Sequence, residues 1–146
     1  TGLTCAWRRP GRRLNGGPGS SSLIGLLTEN GQLAINSASL SGPGDTPRLF
    51  HNRYSWSQVA HVLYLEQPKG VGFSYCVDSA GAPTVGPTAC NNTDHSQAVD
   101  TVEALSEFFE SKFPEFADKE FYISGESYAG AEPANVTLEP GSFPTN

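Results

Sequence analysis

Phe121-Tyr122-Ile123-Ser124-Gly125-Glu126-Ser127-Tyr128-Ala129-Gly130 is the stretch that decides the fold. Its first four residues are β-prone, and they run without a break into a serine that has a small residue two positions away on each side, Gly125 and Ala129. A serine on a sharp strand-to-helix turn projects its hydroxyl outward, and the flanking positions must be small because the backbone folds tightly against its neighbours there. Ala129 stands where the general pattern has glycine, so the spacing by itself also describes a plain glycine-rich turn.

The segments on the N-terminal side supply the rest of the architecture. Asp94 to Phe113 carries Ala98, Val102, Leu105, Phe109 and Phe113 at helical spacing, with Asp94 and Gln97 placed as a capping pair and Pro114 as the stop. Before it, Val59 to Leu65 is apolar and β-rich and ends at Gln67-Pro68, which reads as a buried strand. Gly70 to Tyr75 is punctuated by glycine and fits a loop leaving a strand edge. Leu23 to Leu27 suits a short helix ending near Asn30-Gly31, and Ser37 to Pro47 reads as a loop. Strand, helix, strand in this order predicts an α/β fold, a mostly parallel sheet with flanking crossover helices.

Bulk properties bound the function. A chain of 146 residues suffices for one domain, and 37% hydrophobic with 16% charged residues describes a globular protein. A net charge of −6 argues against general nucleic-acid binding, which needs a basic surface. Arg8, Arg9, Arg12 and Arg13 form a local basic run, read as an exposed, solvated segment. No apolar stretch approaches the roughly 20 residues of a membrane span, and no signal-peptide core is visible at Thr1. Cys76 and Cys90 are close enough to close a small disulfide loop, with two buried free thiols as the alternative, and Cys5 is left over. Asn91-Asn92-Thr93 and Asn135-Val136-Thr137 are N-glycosylation sequons that modestly support secretion. No His and Cys set has metal-ligand spacing, and no cofactor is expected.

A second constellation, Leu14-Asn15-Gly16-Gly17-Pro18-Gly19-Ser20-Ser21-Ser22, lacks the Lys-Ser or Lys-Thr pair of a phosphate loop. Its glycines suit backbone N–H groups turned toward a substrate oxygen, as an oxyanion hole requires. NGGPGSSSL from Asn15, TENG from Thr28, YSW from Tyr54, VLYLEQP from Val62, GVGFSY from Gly70 and FYISGESYAG from Phe121 together resemble the serine carboxypeptidase family, over Leu14 to Gly130.

The resemblance implies a partial α/β-hydrolase fold, incomplete on its C-terminal side, in a single domain over residues 1–146 with atypical ends at 1–13 and 131–146. It implies Ser127 as the nucleophile that attacks the last peptide bond through an acyl-enzyme, Gly17 and Tyr128 as backbone oxyanion donors, and Asn15, Gly16, Glu29 and Glu126 as the binders of the substrate's free C-terminal carboxylate. The implied partners are peptide or protein C-termini, and the implied location is the secretory pathway, a vacuole or lysosome, or the outside of the cell. Two glutamates facing a third carboxylate should raise the pKa of at least one of them, so peptide binding is expected to be best at acidic pH.

Departures from the family pattern shape further expectations. The triad order Ser, acid, His needs a histidine after Ser127, yet His51, His61 and His95 all precede it. His61 falls within a strand pattern, and His51 and His95 look like loop residues. The 146 residues alone are therefore expected to be inactive, with a non-catalytic peptide-binding relative or a serine carboxypeptidase-like acyltransferase as alternatives. Where the family has an apolar strand before the NGGPG motif, the arginine run cannot enter a central strand without burying unpaired charge. Ala131 to Asn146 has no helical period, and Ser20 replaces a cysteine common in the family motif.

Overall fold

A computed structural model of the chain describes residues 9–40, 42, 44–84 and 90–130. Arg8, Cys5, the Asn135 sequon and the stretch from Ala131 to Asn146 lie outside the described residues. The main sheet has three parallel strands in the order β4 (Ala60–Tyr64), β1 (Arg9–Leu14), β7 (Tyr122–Gly125). Helix α1 (Asp94–Glu107) carries the chain from β4 on one side of β1 to β7 on the other. Two antiparallel ladders of two residues per strand complete the described strands, β2 (Leu33–Ala34) with β3 (Phe50–His51) and β5 (Cys76–Val77) with β6 (Pro83–Thr84).

From Arg9 onward the arginine-rich segment is the central strand, which overturns the expectation that it could not enter one and, at Arg13, the expectation of exposure. Arg9 to Arg13 pair with Ala60 to Tyr64 on one side, and Gly11 to Leu14 pair with Tyr122 to Gly125 on the other. The objection was that an arginine there would bury an unpaired charge; Arg13 is indeed buried, but it is paired with two acids from distant segments. Leu14, the next residue, is fully buried.

Helix α1 begins where expected but is capped one residue earlier. Thr93 is the N-cap: its side chain accepts from Ser96 N at 3.1 Å, while Ser96 Oγ accepts from Thr93 N at 2.9 Å. This reciprocal pair satisfies the first-turn donors that Asp94 and Gln97 were expected to satisfy. Gln97 is buried; its side-chain amide donates to Asp94 Oδ1 at 3.5 Å, and its backbone carbonyl accepts from the Gln67 side-chain amide. Ala98, Thr101 and Leu105 are buried, and the helix widens into a π-turn over Phe108–Lys112 before Pro114 opens a 3-10 turn. His51 lies in β3 and His95 in the first turn of α1, not in loops. His61 on β4 packs its ring against Phe116, 5.2 Å between centroids. β4 is half-buried rather than fully buried, and Val59 just before it is exposed.

Among the described residues no helix is long and apolar enough to cross a membrane. Cys76 and Cys90 form a disulfide with a sequence separation of 14, which resolves the open alternative in favour of the bridge. It ties β5 to the segment entering α1. Closing a loop of that length restricts the unfolded chain, so replacing both cysteines by serine is expected to lower the unfolding free energy by about 2–4 kcal/mol. Urea denaturation of the two forms measures this.

Candidate functional site

The site forms where the C-terminal ends of β1 and β7 meet. β7 ends at Gly125, Glu126 N donates to Leu14 O at 3.3 Å, and Ser127 opens a 3-10 turn that runs to Gly130. Ser127 has φ 56, the only positive φ of a non-glycine residue among those described. An L-residue in that region carries backbone strain, which persists only where the surroundings enforce it. Two glycines are the enforcing contacts. A Cβ on Gly125 would lie 2.2 Å from Ala129 O, and one on Gly16 would lie 2.6 Å from Glu126 O and 2.8 Å from Tyr128 N. The turn is thus pressed against the loop that follows β1, and the Ser127 side chain stands at the exposed crest.

The glycine-rich loop supplies the neighbouring wall. Gly16 is buried and Gly17, with φ 122, is exposed beside it. Asn15 is buried; its N donates to Ser22 Oγ, and its Oδ1 accepts from Gly25 N, each at 3.3 Å. Gly25 begins a short π-helical turn, Gly25–Glu29, whose last residue is Glu29. A Cβ on Gly25 would come 2.7 Å from Asn15 Oδ1 and 3.5 Å from Glu29 Oε2, which shows how closely Asn15 and Glu29 are gathered. Tyr128 donates its hydroxyl to Asp94 Oδ1 at 2.5 Å and so anchors the turn to the start of α1.

All seven residues singled out from the sequence, Asn15, Gly16, Gly17, Glu29, Glu126, Ser127 and Tyr128, therefore come from the two loops and the short helical turn gathered at this end of the sheet. What the sequence reading missed is the residue that joins them. Arg13 Nη2 donates to Glu29 Oε2 at 2.6 Å and to Glu126 Oε2 at 3.0 Å, and Nη1 donates to Leu14 O at 2.5 Å. Asn30 and Tyr64 share a hydrogen bond of 2.6 Å; with the Asn30 amide nitrogen turned toward Tyr64, its oxygen accepts from Arg13 Nε at 3.2 Å. Burial works against the Arg13 charge, but hydrogen bonds and attraction from Glu126 and Glu29 outweigh it and hold the guanidinium pKa above its ordinary value. Burial pushes the Tyr64 phenol up as well.

This cation alters the premise of the acidic-pH expectation, which took Glu29 and Glu126 as two like charges with no counterion. The available signal was local: an arginine directly before Leu14-Asn15 in an acidic chain. Glu66 is a second missed position. Its carboxylate accepts from Ser21 Oγ and from Phe73 N, the latter at 2.6 Å, and so ties the loop at Gly70 to the glycine-rich loop.

Among the described residues no group of three or more His, Cys, Asp or Glu could hold a metal ion. A separate apolar hollow of about 230 Å³, lined by His61, Val62, Leu63, Phe108, Phe113, Phe116 and Phe121, shares no residue with the site.

Comparison with known proteins points the same way. The family model described as serine carboxypeptidase matches residues 13–134. Serine carboxypeptidase-like 10 of Arabidopsis thaliana is 42% identical over 117 residues, covering 80% of this chain and 24% of that protein. The lysosomal protective protein of Mus musculus is 44% identical over 117 residues, covering 80% of this chain and 21% of its own length. The crystal structure of a prohormone-processing carboxypeptidase from Saccharomyces cerevisiae superposes with a TM-score of 0.71 at 30% identity, over 89% of this chain and 25% of the other. The chain thus spans only about a fifth to a quarter of the length of these relatives.

The strain at Ser127 generates a stability test. Glycine adopts positive φ without steric cost, so Ser127→Gly is expected to stabilise the fold by about 1 kcal/mol even after its larger unfolded-state entropy is counted. Gly16→Ala, which forces a Cβ against two backbone atoms, is expected to destabilise by about 1–3 kcal/mol. Thermal or urea unfolding of the two variants checks both signs.

Proposed function

The chain belongs to the serine carboxypeptidase family, and from that premise we propose that it carries the nucleophile and substrate-carboxylate half of a serine-type carboxypeptidase site. The observation that carries the reading is the strained turn at Ser127, φ 56, which holds an exposed hydroxyl against the Gly16-Gly17 loop.

In this reading Ser127 Oγ attacks the carbonyl carbon of the last peptide bond. The Oγ–C bond forms first to give a tetrahedral oxyanion. The C–N bond breaks as it collapses to the acyl-enzyme, with the hydroxyl proton passing through a base to the departing amine, and water then releases the acyl group from Ser127. The Gly17 and Tyr128 backbone N–H groups receive the oxyanion, where one such donor typically contributes about 10²–10³ in rate. Asn15, the Gly16 backbone, Glu29 and Glu126 receive the free carboxylate of the terminal residue, and that anchor confines cleavage to the end of the chain.

The base belongs in the order Ser, acid, His, and no histidine follows Ser127 within these 146 residues. By themselves they are proposed to bind peptide C-termini but to retain only the residual catalysis, about 10³–10⁴-fold over water, that binding and an oxyanion hole provide. The alternative reading is a non-catalytic peptide-binding relative. Acyl transfer from the same Ser127 adduct is a variant of the first reading. The Cys76–Cys90 bridge suits an oxidising compartment, and with a lysosomal protein among the relatives it supports a location in the secretory or lysosomal lumen.

A fluorophosphonate probe reacts only with an activated serine hydroxyl. Labelling of these residues is expected to be slow, in keeping with the missing base, and confined to Ser127, mapped by mass spectrometry and absent in Ser127→Ala. Modification of another serine would refute the nucleophile assignment, and no labelling from pH 5 to 8 would leave the peptide-binding reading in its place.

A further inference from the structure

Arg13 separates this site from one built of two glutamates alone. Its side chain is 7% exposed and lies beneath Glu29 and Glu126, whose side chains are 38% and 59% exposed. The acids therefore contact the cation on one side and remain open to a ligand on the other. β4 contributes Tyr64 to the surroundings of Arg13, the turn over Gly25–Glu29 contributes Glu29, and the elbow after β7 contributes Glu126. The other titratable residues of the flanking strands, His61 and Tyr122, pair further down the ladder with Pro10 and Gly11.

We propose that Arg13 stands in for a proton when the site recognises a peptide's free C-terminal carboxylate, so that recognition persists as the pH rises to neutrality. The inference rests on the carboxylate-site reading given above. Two ionised glutamates carry −2, and a ligand carboxylate would bring the cluster to −3, a charge that a sheltered site relieves by taking up protons. With Arg13 the ionised cluster carries −1, and the ligand brings it to −2, the charge that a two-glutamate site reaches only after binding one proton. An arginine keeps its proton throughout the working pH range, so its compensation, unlike that of a bound proton, does not fade as the pH rises. Three hydrogen-bonding partners, Leu14 O, Glu29 and Glu126, hold the guanidinium in that position, and Asn30 Oδ1 is a fourth with its amide nitrogen turned toward Tyr64.

The test is equilibrium binding of N-benzoyl-Phe-Leu and its C-terminal amide between pH 5.5 and 7.5. It is run in a Ser127→Ala background so that the peptide is not consumed, with Arg13 intact, as Arg13→Lys and as Arg13→Gln. The ratio of the two affinities isolates the carboxylate. With Arg13 intact this ratio is expected to change by less than about threefold across the range, and Arg13→Lys, which keeps the charge, to follow it. In Arg13→Gln the ratio is expected to fall about tenfold or more toward pH 7.5, since one linked proton changes affinity by up to about tenfold per pH unit. A tenfold fall with Arg13 intact, or an Arg13→Gln profile parallel to the intact one, overturns the proposal. The intact series carries its own refuting result, so the proposal stays testable if Arg13→Gln does not fold. Equal affinity for acid and amide at every pH overturns the carboxylate-site reading itself, and the role of Arg13 with it. Failure of Arg13 alone looks different: the free acid is still preferred, but the substitution leaves its pH dependence unchanged.

Discussion

The site depends on one close approach, that of the loop after β1 to the turn after β7. Gly16 meets the backbone of Glu126 and Tyr128 at a distance that no side chain could occupy. The parallel register that pairs Leu14 with Gly125 brings the two loops out of the sheet side by side. From that contact follow the positive φ at Ser127, the outward direction of its side chain and the position of Gly17 next to it. Tyr128 then ties the turn to α1 through Asp94, so the crossover helix that sets the strand order also braces the serine. Strain at a functional residue persists only where packing over-determines it, and here two backbone contacts do so.

The second constraint is electrostatic. A cation in the middle strand of a sheet must find partners, because an isolated buried charge costs far more than a domain's net stability. Arg13 finds them 16 and 113 residues away, in Glu29 and Glu126, the two acids proposed to receive the substrate carboxylate. One interaction therefore serves two levels: it makes the central strand possible and it sets the charge that an incoming ligand meets. The surrounding amide and phenol, Asn30 and Tyr64, complete a polar network that leaves the guanidinium little freedom to turn.

Legibility in the sequence followed the range of the interactions. The helix from Asp94 and the strand at Ala60–Tyr64 were readable because their signals are periodic and local. The cap shifted from Asp94 to Thr93 because Thr93 and Ser96 form the same reciprocal box one residue earlier, a choice that composition does not distinguish. β1 was misread because Arg-Pro-Gly-Arg-Arg has neither apolar alternation nor β-propensity, and what stabilises its arginine lies far away in the chain. The two-residue ladders of β2–β3 and β5–β6 are too short to leave a period at all. Ser127 and the Gly16-Gly17 loop were named from spacing with a mechanical cause, and Asn15, Glu29, Glu126 and Tyr128 only from the family resemblance. Arg13 was not, because no motif includes it.

The account is tested most directly by a crystal structure of the protein with a short peptide bearing a free C-terminus. The account predicts the terminal carboxylate against Asn15, the Gly16 backbone, Glu29 and Glu126, with Arg13 still bonded beneath both acids, and the preceding carbonyl oxygen within about 3 Å of the Gly17 and Tyr128 nitrogens. A peptide bound elsewhere, or Arg13 swung away from Glu29 and Glu126 to meet the carboxylate itself, would contradict it.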